Sequence, residues 1–189
     1  MLRLFFALPC PPMTATRIDD WRQQQHFAGR SVPMENLHLT LAFIGLVAQS
    51  RLASVIALPQ QLPLHEQAFT LQLDQLACWP DGLLHLAPSR PPSALLMLAH
   101  GLQRLLIEGG LVATAPDYRP HLTLSRCSRP AEAGNPPSFS WLADELALYH
   151  STEGGLSASG TLVAWSEPLK NTARVAIPLP KRGGARFPW

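Results

Sequence analysis

Two copies of one tetrapeptide constrain this chain more than any other feature of it. His38-Leu39-Thr40-Leu41 lies within the strand-like run of residues 36–44, and His121-Leu122-Thr123-Leu124 within a second run, residues 119–126. Successive side chains of a strand point to opposite faces. Each copy therefore presents an imidazole and a hydroxyl on one face and two leucines on the other. The leucines need a core beneath them; the His and Thr do not. A single His-x-Thr among seven histidines is unremarkable, but two identical tetrapeptides in two strand contexts are not. The bland alternative is a pair of unrelated half-buried strands whose histidines face solvent.

The rest of the chain supplies short elements to surround such strands. Nineteen prolines and twelve glycines divide its 189 residues, and 47% apolar content is enough for one sizeable core. Residues 4–8 read as a buried strand, and Pro11-Pro12 lead into a helix over 13–26 with Ile18, Trp21 and Gln25 at helical spacing. Gly45 is expected to end the strand of 36–44. A short helix follows at 51–58, stopped before Pro59. Alternation predicts a strand at 69–73, paired through a turn at Pro80-Asp81-Gly82 with 83–87. Ser93 is expected to cap a helix running to Glu108, stopped by Gly109-Gly110. Further strands are expected at 119–126, within 139–149 and at 160–166. Hairpin-length connections between mixed elements give an α+β fold with largely antiparallel sheets. Residues 1–167 are read as one bilobal catalytic domain and 168–189 as a basic tail containing Pro and Gly.

Several classes are disfavoured. No apolar run approaches the roughly 20 residues needed to span a bilayer, and Pro9, Pro11 and Pro12 cut the N-terminal apolar stretch too short for a signal peptide. Cys10, Cys78 and Cys127 are scattered and odd in number, which suits a reducing cytoplasm rather than a disulfide framework. After Glu167 there are five basic residues, Lys170, Arg174, Lys181, Arg182 and Arg186, and no acid. That end is either a solvated terminus or an arm that touches nucleic-acid phosphates.

The paired strands suggest a chemistry. Two imidazoles with ordinary pKa near 6.5 can serve as base and acid at neutral pH. Phosphodiester hydrolysis requires one group to activate water and another to protonate the departing oxygen. Two threonine hydroxyls can donate to the non-bridging oxygens. No carboxylate cluster accompanies the motifs, so a two-metal site is not suggested; two histidines make a poor zinc site, and no cofactor is expected.

These segments resemble the 2H phosphoesterase superfamily, and within it the bacterial RNA 2′,3′-cyclic phosphodiesterases, also called 2′-5′ RNA ligases. The run Glu35-Asn36-Leu37-His38-Leu39-Thr40-Leu41-Ala42-Phe43-Ile44-Gly45 resembles the family's first motif, and Arg119-Pro120-His121-Leu122-Thr123-Leu124-Ser125-Arg126 its second. Leu4-Phe5-Phe6-Ala7-Leu8 resembles the opening strand and Glu145-Leu146-Ala147-Leu148-Tyr149-His150-Ser151 a late one. The resemblance implies two pseudo-symmetric lobes, each an antiparallel sheet with outer helices, around a central cleft. It implies metal-independent hydrolysis of an RNA-terminal 2′,3′-cyclic phosphate to a 2′-phosphomonoester, with His121 as base, His38 as acid, and Thr40 and Thr123 on the phosphate. Reversible 2′-5′ ligation stays open. Arg126 matches a position that contacts phosphate or a base, and Tyr118 an aromatic that stacks on a base. Strand parity puts Arg126 opposite His121, so its role requires the strand to end or bulge there.

The chain departs from the family at Leu84-His85-Leu86, where a Trp-x-Gly strand is usual, and at residues 151–160, which are Gly- and Ser-rich. His85 is the additional histidine that strand geometry can aim at the cleft. His26, His65, His100 and His150 read as structural or solvent-facing, and the five tryptophans mostly as packing. A monomer acting on RNA or oligonucleotide ends is expected, with no membrane partner. The rivals are a phosphodiesterase for small cyclic nucleotides and a binding module without turnover.

Overall fold

The protein is described here by a computed structural model covering residues 1–62, 68–126 and 134–151, with the backbone of two further strands. In chain order the elements are β1 (Leu2–Pro9), α1 (Pro12–Gln25), β2 (Arg30–Ser31), β3 (His38–Val47), α2 (Leu52–Ala57), β4 (Phe69–Leu73), β5 (Gln75–Cys78), β6 (Leu84–Ala87), α3 (Ser93–Glu108), β7 (Leu122–Arg126), β8 (Phe139–Ala143), β9 (Glu145–Ser151), β10 (Leu162–Ala164) and β11 (Val175–Pro178). His65, Cys127, Trp165, Trp189 and the Gly/Ser-rich residues 152–160 lie outside the described residues.

The fold is α+β with antiparallel pairing throughout. Seven strands run in the order β10-β9-β1-β3-β7-β6-β5, with β11 also on β9 and β2 also on β7; β4 and β8 form a separate two-stranded sheet. The two expected half-sheets meet at β3 and β7, the strands that carry the repeated tetrapeptide. One residue pair, Leu39 opposite Leu122, joins them. Beyond it β3 leaves, and residues 30–32 take over that edge of β7: Arg30 pairs with Arg126, Ser31 with Ser125, and the Val32 N–H donates to the Leu124 carbonyl at 2.8 Å.

Beneath this seam lies the core. Leu39, Leu41, Leu122 and Leu124 are essentially inaccessible, packed with Leu4, Phe6, Leu8, Leu84 and Leu86. Fully burying one leucine is worth roughly 1.5–3 kcal/mol, so the four motif leucines fix the register of the seam firmly. The buried stripe of α3 (Leu95, Leu98, Ala99, Leu102, Leu105, Leu106) packs against this core, and α1 buries Thr14, Ala15, Ile18 and Trp21.

Several expectations are corrected. Residues 83–87 do not pair with 69–73. β6 pairs with β5, and β4 pairs with β8 instead. The chain changes sheet at Asp74: its carboxylate accepts hydrogen bonds from the Ser89 N–H (2.7 Å) and Oγ (2.6 Å), while its own N–H donates to Ala87. The run 139–149 likewise splits at Asp144 into β8 and β9, on different sheets. Gly45 does not end β3. It holds φ +81° at a bulge, and the strand continues to Val47. Ser93 is the first residue of α3 and makes no capping hydrogen bond. Within the supposed tail, Val175–Pro178 adds a strand to β9.

Candidate active site

The resemblance between the two copies extends beyond the tetrapeptide. In β3 the pairing with β1 slips by one residue between Ala42 and Thr40, so Leu41 is an extra residue. In β7 the pairing with β6 slips in the same way between Ser125 and Thr123, making Leu124 the extra residue. A bulge of this kind reverses the side-chain alternation that follows it. Leu41 and Ala42 are thus both buried, as are Leu124 and Ser125, and the next residue in each copy emerges on the cleft face. That residue is Phe43 in the first copy and Arg126 in the second; both line the cleft. The repeat is therefore a bulged hexapeptide with one burial pattern, and the bulge that Arg126 needed is present.

The antiparallel pair Leu39–Leu122 acts as the centre of a local two-fold. Extending that register by one residue on either side sets His38 beside Thr123 and Thr40 beside His121. All four side chains line one cleft of about 780 Å³.

Both histidines are held alike. His38 Nδ1 lies 2.7 Å from the Asn36 carbonyl and His121 Nδ1 2.7 Å from the Arg119 carbonyl. A carbonyl only accepts, so Nδ1 carries the hydrogen in each ring and Nε2 bears the lone pair of the neutral form. His85 repeats the arrangement against the Leu83 carbonyl at 3.1 Å.

The surroundings of the two rings differ. Phe5 and Tyr149, stacked on each other at 5.3 Å, stand 5.1 and 5.5 Å from His38. Burial there pushes the His38 pKa down to about 4. The Asn36 carbonyl opposes the fall, and the charges of His121 and Arg126 add to it. His121 instead meets Trp79 at 4.6 Å and the edge of His85 at 5.6 Å. Burial again lowers its pKa, against the pull of the Arg119 carbonyl, with His85 and Arg126 contributing in the same direction. Both shifts favour the neutral imidazole at pH 7. A bound phosphate anion favours the charged forms and raises both.

Arg126 thus reaches the cleft. Tyr118 lines it too, but its hydroxyl donates to the Thr40 backbone carbonyl at 3.3 Å, tying the approach to the second copy onto the first. Burial raises the Tyr118 pKa. His85 is buried at 4% exposure behind His121, so it touches a site ring without lining the cleft. His26 and His100 are exposed. Sequence reasoning missed Phe5, Phe43, Trp79 and Tyr149. Phe43 was legible in principle, because it occupies the position of Arg126 in the repeat. Among the described residues, no group of three or more His, Cys, Asp or Glu is placed to hold a metal ion, and no helix is long and apolar enough to cross a membrane.

Residues 10–155 match the model of the 2′-5′ RNA ligase superfamily. The chain belongs to that family. It is 35% identical over 156 residues to the RNA 2′,3′-cyclic phosphodiesterase of Escherichia coli strain K12, covering 79% of this chain and 87% of that protein. A relative of the same description from Thermus thermophilus is 28% identical over 170 residues, covering 79% and 82%. Among solved structures, the family fold is matched by E. coli LigT complexed with 3′-AMP. That match has a TM-score of 0.76 and 31% identity, covering 93% of this chain and 98% of that one.

Proposed function

We propose that this protein is an RNA 2′,3′-cyclic phosphodiesterase that opens the cyclic phosphate to a 2′-phosphomonoester by two-histidine acid–base catalysis. The observation that carries this reading is the duplicated bulged hexapeptide, which aims two imidazoles, two hydroxyls and one guanidinium into a single cleft. E. coli and Thermus relatives bear the same activity in their names. In the scheme, Nε2 of His121 takes a proton from water as the water oxygen attacks phosphorus. The bond from phosphorus to the 3′ oxygen breaks, and Nε2–H of His38 protonates that oxygen. Thr40 and Thr123 donate to the non-bridging oxygens, and Arg126 offsets their charge. Each positioned acid or base is worth about 10²–10⁴-fold.

Phe43 and Arg126 stand at matching places on the two half-sites, one offering a ring and the other a planar cation. Both surfaces suit the faces of a terminal base. Tyr118, its hydroxyl committed to Thr40, contributes a wall. Both copies of the hexapeptide are on one chain, so a monomer holds a complete site. Cys10 and Cys78 are free thiols, in keeping with a reducing cytoplasm.

The test is incubation with a short RNA ending in a 2′,3′-cyclic phosphate, with EDTA present. The expected product is the 2′-phosphate at an undiminished rate. A 3′-phosphate product, or a rate abolished by EDTA and restored by a divalent cation, would contradict the scheme. Turnover confined to small cyclic nucleotides would reassign the substrate and keep the chemistry.

A further inference from the structure

Among the charged residues lining the cleft, Arg30 has no role in this scheme. Arg30 and Arg126 are direct cross-strand partners in the β2–β7 pairing, and both line the cleft. Like charges placed directly opposite on neighbouring strands destabilise the pairing. Among the described residues neither guanidinium has a carboxylate partner: the ion pairs there are Asp19–Arg22 and Arg104–Glu108.

The pairing is nonetheless held in place with some investment. Nη1 of Arg22 donates to the carbonyls of Val32 (2.6 Å) and Leu124 (3.2 Å), and Asp19 pairs with the same guanidinium. The Val32 N–H donates to Leu124, and Ser125 Oγ donates to the Ala28 carbonyl at 3.4 Å. These contacts clamp the segment bearing Arg30 onto the strand bearing Arg126, immediately after the bulge that turns Arg126 toward the cleft. Two guanidiniums on directly paired residues, neither with a carboxylate partner among the described residues, favour an anion between or beside them, and guanidinium geometry matches phosphate oxygens.

We propose that Arg30 binds the phosphodiester on the 5′ side of the terminal nucleoside, making the cleft a site for the end of an RNA chain rather than for a lone cyclic nucleotide. This rests on the proposed cyclic-phosphate chemistry and adds a second phosphate subsite to it. Arg126 serves the reacting phosphate and terminal nucleoside. Arg30, on the neighbouring strand β2, takes the next phosphate along the chain. The β2–β7 clamp keeps the two residues in register.

The experiment compares a nucleoside 2′,3′-cyclic phosphate with a dinucleotide ending in the same group, using wild type, Arg30→Ala, and Arg104→Ala as a charge-matched control on the exposed face of α3. The wild type is expected to favour the dinucleotide in kcat/KM. Arg30→Ala should lose about tenfold on the dinucleotide, the scale of one charge-assisted hydrogen bond. It should stay within about twofold on the mononucleotide, and Arg104→Ala should leave both unchanged. The dinucleotide advantage should also fall with added salt in wild type and not in Arg30→Ala. Equal losses on both substrates would overturn the subsite and make Arg30 a part of the reaction centre. No loss on either would overturn it as well. Failure of wild type to open either substrate would instead sink the underlying reading of the chemistry.

Discussion

The two half-sites share one backbone and differ in what surrounds it. Each is a His-Leu-Thr-Leu strand with a bulge at its second leucine and a histidine anchored through Nδ1 to the carbonyl two residues back. Around His38 the neighbours are Phe5 and Tyr149, and Ala7 stands opposite Thr40. Around His121 they are Trp79 and His85, and His85 stands opposite Thr123. The backbone therefore fixes where the two imidazoles sit, and the adjoining strands set how readily each holds a proton. A duplicated strand needs only different neighbours to divide labour between acid and base.

The largest effects should come from the shared part. His38→Ala and His121→Ala should each lower kcat by about 10²–10⁴-fold on an RNA cyclic phosphate. The double variant should lose much less than the product of the two, because groups acting in one step are not additive. Additive losses, measured by single-turnover kinetics, would break the idea of one concerted site.

The next effect distinguishes the halves through stability. The folded-state pKa of His38, about 4, lies below its ordinary value, so the unfolded chain binds the extra proton. The associated stability is present above about pH 6.5 and is lost as pH falls from there toward 4, on the order of 3 kcal/mol in all. Urea denaturation across this range should show the decline, and His38→Phe should flatten it. An unchanged slope in that variant would place the burial elsewhere.

Smaller still is the effect of the neighbour that has no counterpart in the first half. His85 lowers the proton affinity of His121. In His85→Phe, the acid limb of the kcat/KM profile should therefore move to higher pH, because the base must be neutral to act. Activity at pH 8 should change only a few-fold. A uniform drop at every pH would reduce His85 to a packing residue.

How much of this was legible in sequence follows from which forces are local. The His and Thr positions were readable because strand alternation is a property of the backbone. Arg126 was readable only as a condition, since a bulge depends on the partner strand's register and leaves no mark in the five residues of β7. The pairing of residues 83–87 was misread for a related reason. A turn at 80–82 signals a hairpin, but which strand precedes it was decided by Asp74 and its bonds to Ser89, fifteen residues away. Trp79 and Phe5 carried no signal, because their proximity to the histidines is set by which strands pair within each half-sheet: β1 beside β3 for Phe5, and β5-β6-β7 for Trp79. The 168–189 segment showed too little periodicity to betray Val175–Pro178, a four-residue strand held by β9.

At His38 the family resemblance and the geometry pull in different directions. The resemblance makes His38 the acid, yet burial pushes its pKa down to about 4. The negative charge of a bound phosphate opposes that fall, because a nearby anion favours the charged imidazole. A cyclic phosphate with sulfur in place of the 3′ bridging oxygen tests this, since a thiolate departs without needing a proton. With this substrate His38→Ala should recover most of its lost rate while His121→Ala stays impaired. Recovery of His121→Ala instead would exchange the two roles, and recovery of neither would contradict division of labour between the half-sites.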